Sequence, residues 1–161
     1  MYLEPIALYH SRDLHEEGDD GWVAPLSDEH VPVGSARTYL SGDDLTIVTW
    51  ANGLHLSARV AAKLAGDGIR ARIVDLRWLA PLPMEDVLRE ASVTGRVLVV
   101  DETRRAGGVS EGVIAELVDA GFDGRIARVT SKDSFVPLGD AARLVLVSEE
   151  EIEAAALALL A

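Results

Sequence analysis

Three strand-like runs dominate the chain, "LTIVTW" at 45–50, "IRARIVDL" at 69–76 and "RVLVVDE" at 96–102, and the first of them is continuously apolar. A strand that is hydrophobic on both sides must be covered on both sides, which is the condition of a central strand in a parallel sheet. Between these runs the period becomes helical. Leu56, Val60, Ala61 and Leu64 form one stripe, closed by "GDG" at 66–68. Met84, Val87, Leu88 and Ala91 form a second, with Pro83 expected at its first helical position, where a missing N–H costs nothing. Val109, Val113, Ile114 and Leu117 form a third. "RTYL" at 37–40 and "RIARV" at 125–129 read as further strands. Ser148 and Glu151 predict a capping box ahead of a last helix, with Ile152, Ala155, Ala156, Leu159 and Leu160 on one face. The run "LVLVS" at 144–148 suits either a strand or a buried loop before that cap. Strands that alternate with helices predict right-handed βαβ units, hence an α/β fold built as a three-layer α/β/α sandwich.

The front of the chain reads differently. Residues 11–34, "SRDLHEEGDDGWVAPLSDEHVPVG", are acidic, rich in Gly and Pro, and without sustained periodicity, so a linker or long loop is expected there. Residues 1–10 hold a short apolar segment with nothing nearby to pair with, expected as a strand left over from a preceding unit. The folded domain is then expected over 35–161, a length that suits one compact unit with an appendage. Up to Asp44 there are two arginines against ten acids, so this front quarter carries −8 of the chain's net charge of −12. Such a balance gives no general attraction to nucleic-acid backbones or anionic lipids, and neither is expected as a partner. There is no cysteine, which excludes disulfides and thiol catalysis within the chain. "MYLEPIALYH" lacks a basic leader and no apolar stretch is long enough for a bilayer, so a cytoplasmic location is expected.

Open parallel sheets bind ligands beyond the carboxyl ends of their strands, and three such ends carry polar groups. At "TWANGLH", Asn52, Gly53 and His55 offer helix-start N–H groups for an anion and an imidazole for proton transfer. The plainer reading makes Asn52 an N-cap, Gly53 a point of close approach and His55 part of an exposed turn. At "DLRWLAP", Asp75 and Arg77 are expected to meet fold-stabilising partners. At "DETRRAGG", Asp101 and Glu102 suit acid–base work while Arg104 and Arg105 hold an anion before Gly107 and Gly108. The structural reading has the acids cap loop N–H groups, the arginines screen the acids, and the glycines bring a helix close to the sheet. The glycine motifs of dinucleotide and Walker-type phosphate sites are missing. His10, His15 and His30 lack metal-ligand spacing, and no metal site is expected.

Together, "PVG" at 32–34 leading into a short strand, "DLRWLAPLP" at 75–83, and "VLVVDE" followed by "GGVSEGVIAEL" resemble the C-terminal domain of the transketolase superfamily. Within it, the sequence is most similar to the β subunits of thiamine-diphosphate-dependent 2-oxo acid dehydrogenases. The resemblance implies a mostly parallel sheet of about five strands with one antiparallel edge strand. It implies that residues 1–10 end a pyrimidine-binding domain, that 11–34 connect it, and that thiamine diphosphate and Mg sit elsewhere in the intact enzyme. The reaction implied is oxidative decarboxylation of a 2-oxo acid with acyl transfer to lipoyl. This chain would then hold no catalytic, cofactor or metal residue of its own. It would serve dimerisation and active-site framing, with other subunits and an acyltransferase core as partners, through Asn52, His55, Glu102, Arg104, Arg105, Gly107 and Gly108. Transketolase, deoxyxylulose-phosphate synthase, a stand-alone interaction module and an anion-binding domain stand as alternatives. "DETRRAGGVSEG" departs from the β-subunit pattern in its second arginine and in Val-Ser where Phe-Gly is frequent.

Overall fold

The computed structural model describes residues 1–28 and 30–161. Its regular part begins with the antiparallel edge strand β1 (Arg37–Ser41) and the central strand β2 (Leu45–Thr49), followed by α1 (Asn52–Gly66) and β3 (Ala71–Asp75). Then come α2 (Met84–Thr94), β4 (Arg96–Arg104), α3 (Val109–Asp119), β5 (Arg125–Ser131) and α4 (Glu149–Leu160). The five strands form one sheet in the order β1-β3-β2-β4-β5, and only the β1–β3 pair is antiparallel.

Every residue of β2 is buried, as its uninterrupted apolar character requires. Its side chains alternate between the two layers. Leu45 and Ile47 pack with Leu54, Ala61 and Leu64 of α1 and with Ile152, Ala156 and Leu159 of α4. Val48 faces the other way, with Val87 and Ala91 of α2 and Val113 and Leu117 of α3. Fully removing a Leu or Ile side chain from water stabilises the fold by about 1.5–3 kcal/mol, so these two layers hold the sheet between its helices. The small residues Ala58, Ala61, Ala91 and Ala156 are buried at the helix contacts.

The chain steps from β2 through α1 to β3 on one face, then back over β2 through α2 to β4 on the other. The carboxyl ends of β2 and β4 are therefore where connections leave in opposite directions. That divergence opens the crevice in which open α/β sheets place their ligands.

Two expectations need correction, the strand at 1–10 and the place of Pro83. Residues 1–10 form a single 3-10 turn, Ile6–Leu8, and no strand, because no sheet edge lies alongside to accept the backbone hydrogen bonds of an extended segment. Of the expected linker or long loop 11–34, Glu29 lies outside the described residues, and residues 11–22 are a tightly bonded loop seated on α1. Asp19 accepts the backbone N–H groups of Leu14, His15, Glu16 and Gly21, while Asp13 accepts those of Gly18 and Asp20. Four such donors hold the Asp19 carboxyl well below the usual range. Leu14 is buried in the α1/α4 core, and Arg59 of α1 donates to its carbonyl and to Glu149. Pro83, expected inside α2, stands one residue ahead of it. Residues 145–148 are loop, and Ser148 and Glu151 make the reciprocal capping box.

Candidate functional site

The crevice is assembled from the ends of β2, β3 and β4. Asp101, on β4, is fully buried at 0% exposure. Its two oxygens accept the backbone N–H of Thr103 at 2.8 Å and of Ser110 at 2.9 Å. Ser110 lies in the first turn of α3, so the carboxylate caps from the strand a helix whose own N-cap, Gly108, has no side chain to do so. Gly108 is forced by the same closeness: a Cβ there would lie 2.5 Å from the Arg104 carbonyl and 2.9 Å from Asp101 Oδ2. Gly107 takes φ +72, a backbone conformation that glycine adopts without the strain a side chain brings.

Glu102 is tied across the crevice. Asn52, at the start of α1, donates its side-chain amide to Glu102 Oε1 at 2.5 Å, bridging the two diverging connections. The Glu102 carbonyl accepts the Ser131 hydroxyl at 2.7 Å, fastening β4 to the end of β5. The N-cap expected of Asn52 is not made. That position belongs to Ala51, at φ 51, and no side chain caps the helix. Gly53 allows the close approach expected of it, since a Cβ would overlap the Thr49 hydroxyl.

His55 lies within α1 and is half-buried rather than on an exposed turn. Its ring meets Trp22 edge-to-face at 4.9 Å, and Nε2 lies 3.4 Å from the Asp13 carbonyl. The imidazole thus sits beneath the front loop.

Arg104 and Arg105 are exposed, and neither makes an ion pair among the described residues. They do not screen Asp101, whose two oxygens are occupied by backbone N–H groups, or Glu102, whose Oε1 is held by Asn52. The N–H groups that an anion would need are also engaged internally: Gly107 donates to Glu111 and Ala106 to Asp133. At the β3 end, Asp75 accepts the Arg77 N–H at 3.3 Å, and burial pushes its carboxyl above the usual range against the opposing pull of that N–H and of Arg77 and Arg37. Arg77 takes φ 56. Neighbouring β2 and β3 therefore both end in a non-glycine residue at positive φ, a conformation that costs about 1–3 kcal/mol and clusters at functional sites.

Sequence reasoning missed Ala51, Thr103, Ser110, Asp133 and Ser131. Only Thr103 left a local signal, an aspartate two residues before a strand-end N–H. The other contacts join residues distant in sequence.

Among the described residues, no group of three His, Cys, Asp or Glu is placed to hold a metal ion, and no helix is long and apolar enough to cross a membrane. The family described as "Transketolase, C-terminal domain" matches residues 34–152. The β subunit of the pyruvate dehydrogenase E1 component from Bacillus subtilis (strain 168) is 29% identical over 155 residues, covering 94% of this chain and 45% of that protein. The corresponding subunit from Staphylococcus aureus (strain N315) shows the same identity and coverage. The chain thus spans less than half the length of these relatives. Among solved structures, a split-gene transketolase described as an inactive β4 tetramer superimposes with a TM-score of 0.74 at 25% identity, covering 83% of this chain and 43% of that one. A 2-oxoglutarate:ferredoxin oxidoreductase from Magnetococcus marinus shares the fold at a TM-score of 0.56 and 15% identity, over 79% of this chain and 19% of that one. The strand order, the single antiparallel edge and the match over most of its length place this chain in the transketolase C-terminal domain family.

Proposed function

We propose that this chain is the C-terminal domain of the β subunit of a thiamine-diphosphate-dependent 2-oxo acid dehydrogenase. It frames the approach to a catalytic centre carried by other domains and makes subunit contacts, an acyltransferase core among its partners. Residues 1–10 then end a pyrimidine-binding domain, 11–34 connect it, and 35–161 are the framing domain. The observation that carries the reading is the engagement of the strand-end carboxylates: Asp101 holds two backbone N–H groups and Glu102 holds Asn52. Groups committed in this way stiffen a wall. They are not poised to move protons to a substrate.

The residues present do not fit thiamine diphosphate with a magnesium ion. A magnesium site on protein needs convergent oxygen donors, and the described residues offer no such group. A diphosphate cradle needs free backbone N–H groups, and those of Ala106 and Gly107 already serve Asp133 and Glu111. Arg104 and Arg105 are the groups left to touch a substrate or a neighbouring subunit. The likeness to a split-gene transketolase favours a second reading in which the intact enzyme acts on sugar phosphates.

Calorimetric titration of this chain with thiamine diphosphate and Mg²⁺ is expected to show no specific heat, and micromolar binding overturns the framing role. In the intact enzyme, thiamine-diphosphate-dependent turnover of 2-oxo acids with an artificial electron acceptor is the expected activity. Turnover of ketose phosphates instead selects the second reading.

A further inference from the structure

The sheet has two edges of opposite character. On one side β1 is broken by a register irregularity between Thr38 and Leu40, a feature that blunts an edge against further pairing. On the other side β5 runs through seven residues, and no described strand pairs with its outer side. Its backbone groups there remain open to another strand.

Three observations say what kind of strand would suit it. Arg125 and Lys132, at the two ends of β5, are exposed, Arg128 lies between them, and none of the three makes an ion pair among the described residues of a chain with net charge −12. On the α3 side, Arg128 lines a shallow groove with Glu111, Ile114 and Ala115. Directly after β5, Phe135 and Leu138 are each 96% exposed. Cations alone would serve to keep edges apart. Although Glu111 shares the groove and Asp133 follows Lys132, β5 itself carries cations and no acid, which repels a second β5 yet attracts a strand of the opposite sign, and the exposed Phe135 and Leu138 give such a strand an apolar anchor.

We propose that the outer edge of β5 is a docking site for an extended acidic segment of a partner protein, added as a further strand and anchored by apolar residues against Phe135 and Leu138. Main-chain hydrogen bonds would supply affinity, and the cations and apolar anchor the selectivity. The surface lies along the sheet's outer edge and touches the crevice loop at one end, where Arg128 donates to the Arg105 carbonyl and Asp133 accepts the Ala106 N–H.

The test uses a fluorescein-labelled decapeptide of alternating Glu and Val, read by fluorescence anisotropy against the full chain. Binding in the micromolar range is expected, weakening as salt is raised. It should fall at least tenfold in Arg125→Glu/Lys132→Glu, whose exposed positions leave the core intact, and at least tenfold for the same peptide N-methylated at alternate residues. Retained affinity of the N-methylated peptide would show charge attraction without strand addition and overturn the proposal. So would unchanged binding in the double variant, no binding at millimolar peptide, or self-association of the chain that the double variant abolishes. Circular dichroism melting of the double variant at the wild-type midpoint keeps its loss of binding interpretable.

Discussion

The two flanks of the sheet handle charge in opposite ways. On the β1–β3–α2 side, Arg70 reaches Asp43 at 2.9 Å, Arg89 reaches Asp86 at 2.6 Å, and the nearly buried Arg72 pairs with Glu90 of α2 while its Nε donates to the Gly42 carbonyl. On the β4–β5 side, Arg96, Arg104, Arg105, Arg125, Arg128 and Lys132 make no ion pair among the described residues. Arg96 even leaves its Nε buried without an acceptor. One flank uses charge to finish a layer of the fold, and the other holds charge in reserve for something outside it. Burial sets the contrast at its extremes: the nearly buried Arg72 must be matched within the chain, whereas the exposed Arg104, Arg105, Arg125 and Lys132 are matched by water until a partner arrives.

Arg72→Ala is the strongest way to break the paired flank. The Arg72 and Glu90 side chains are 11% and 12% exposed, so removing the guanidinium strands a shielded carboxylate. Breaking such a pair from one side costs about 3–5 kcal/mol. Arg89 also approaches Glu90, at 3.1 Å, and holds part of that charge, which sets the expected loss at the lower end of the range. Urea unfolding measures it. A loss no greater than that of an exposed arginine on β5 would erase the distinction between the flanks.

Gly108→Ala tests the joint from which the unpaired flank is hung. Its Cβ would meet the Thr103 hydroxyl and the Arg104 carbonyl, both at 2.5 Å, and the backbone oxygen has no freedom to retreat. Overpacking of this kind costs about 1–3 kcal/mol. The loss should appear in thermal melts together with faster hydrogen exchange at Ser110, whose N–H depends on Asp101 staying in place.

The contrast also explains what could be read from the sequence. The strands came from apolar runs, and α4 from Ser148 and Glu151, because those signals are local and β2 is buried along its whole length. Resemblance added the antiparallel edge, which periodicity does not encode. The site was legible as a place: "TWANGLH" and "DETRRAGG" do meet at the sheet's carboxyl end. Its contacts were not, because Asn52 with Glu102 and Ser131 with Glu102 join residues that only the crossover brings together. The acidic stretch was legible as linker or loop and no further, for a related reason. Its aspartates bond the loop's own N–H groups, and a composition rich in Asp and Gly looks the same whether those bonds form or not.

Asp75 sharpens the comparison from inside the paired flank, with the smallest effect. It lies opposite Arg37 in the β1–β3 register and beside Arg77, yet burial outweighs both arginines and pushes its carboxyl above the usual range. A carboxyl raised on folding favours the protonated form, so its contribution is fully present below the ordinary carboxylate pKa of about 4 and is lost as pH rises through the higher folded value. At neutral pH the ionised group is therefore a liability. Asp75→Asn keeps an oxygen to accept the Arg77 N–H and removes the charge. It should raise the melting midpoint at pH 7 by an amount worth under about 1 kcal/mol, and the gain should shrink towards zero as pH falls below the carboxylate range. A midpoint that drops at pH 7 would mean that Arg37 and Arg77 match the charge after all, and that this flank is balanced through to its last residue.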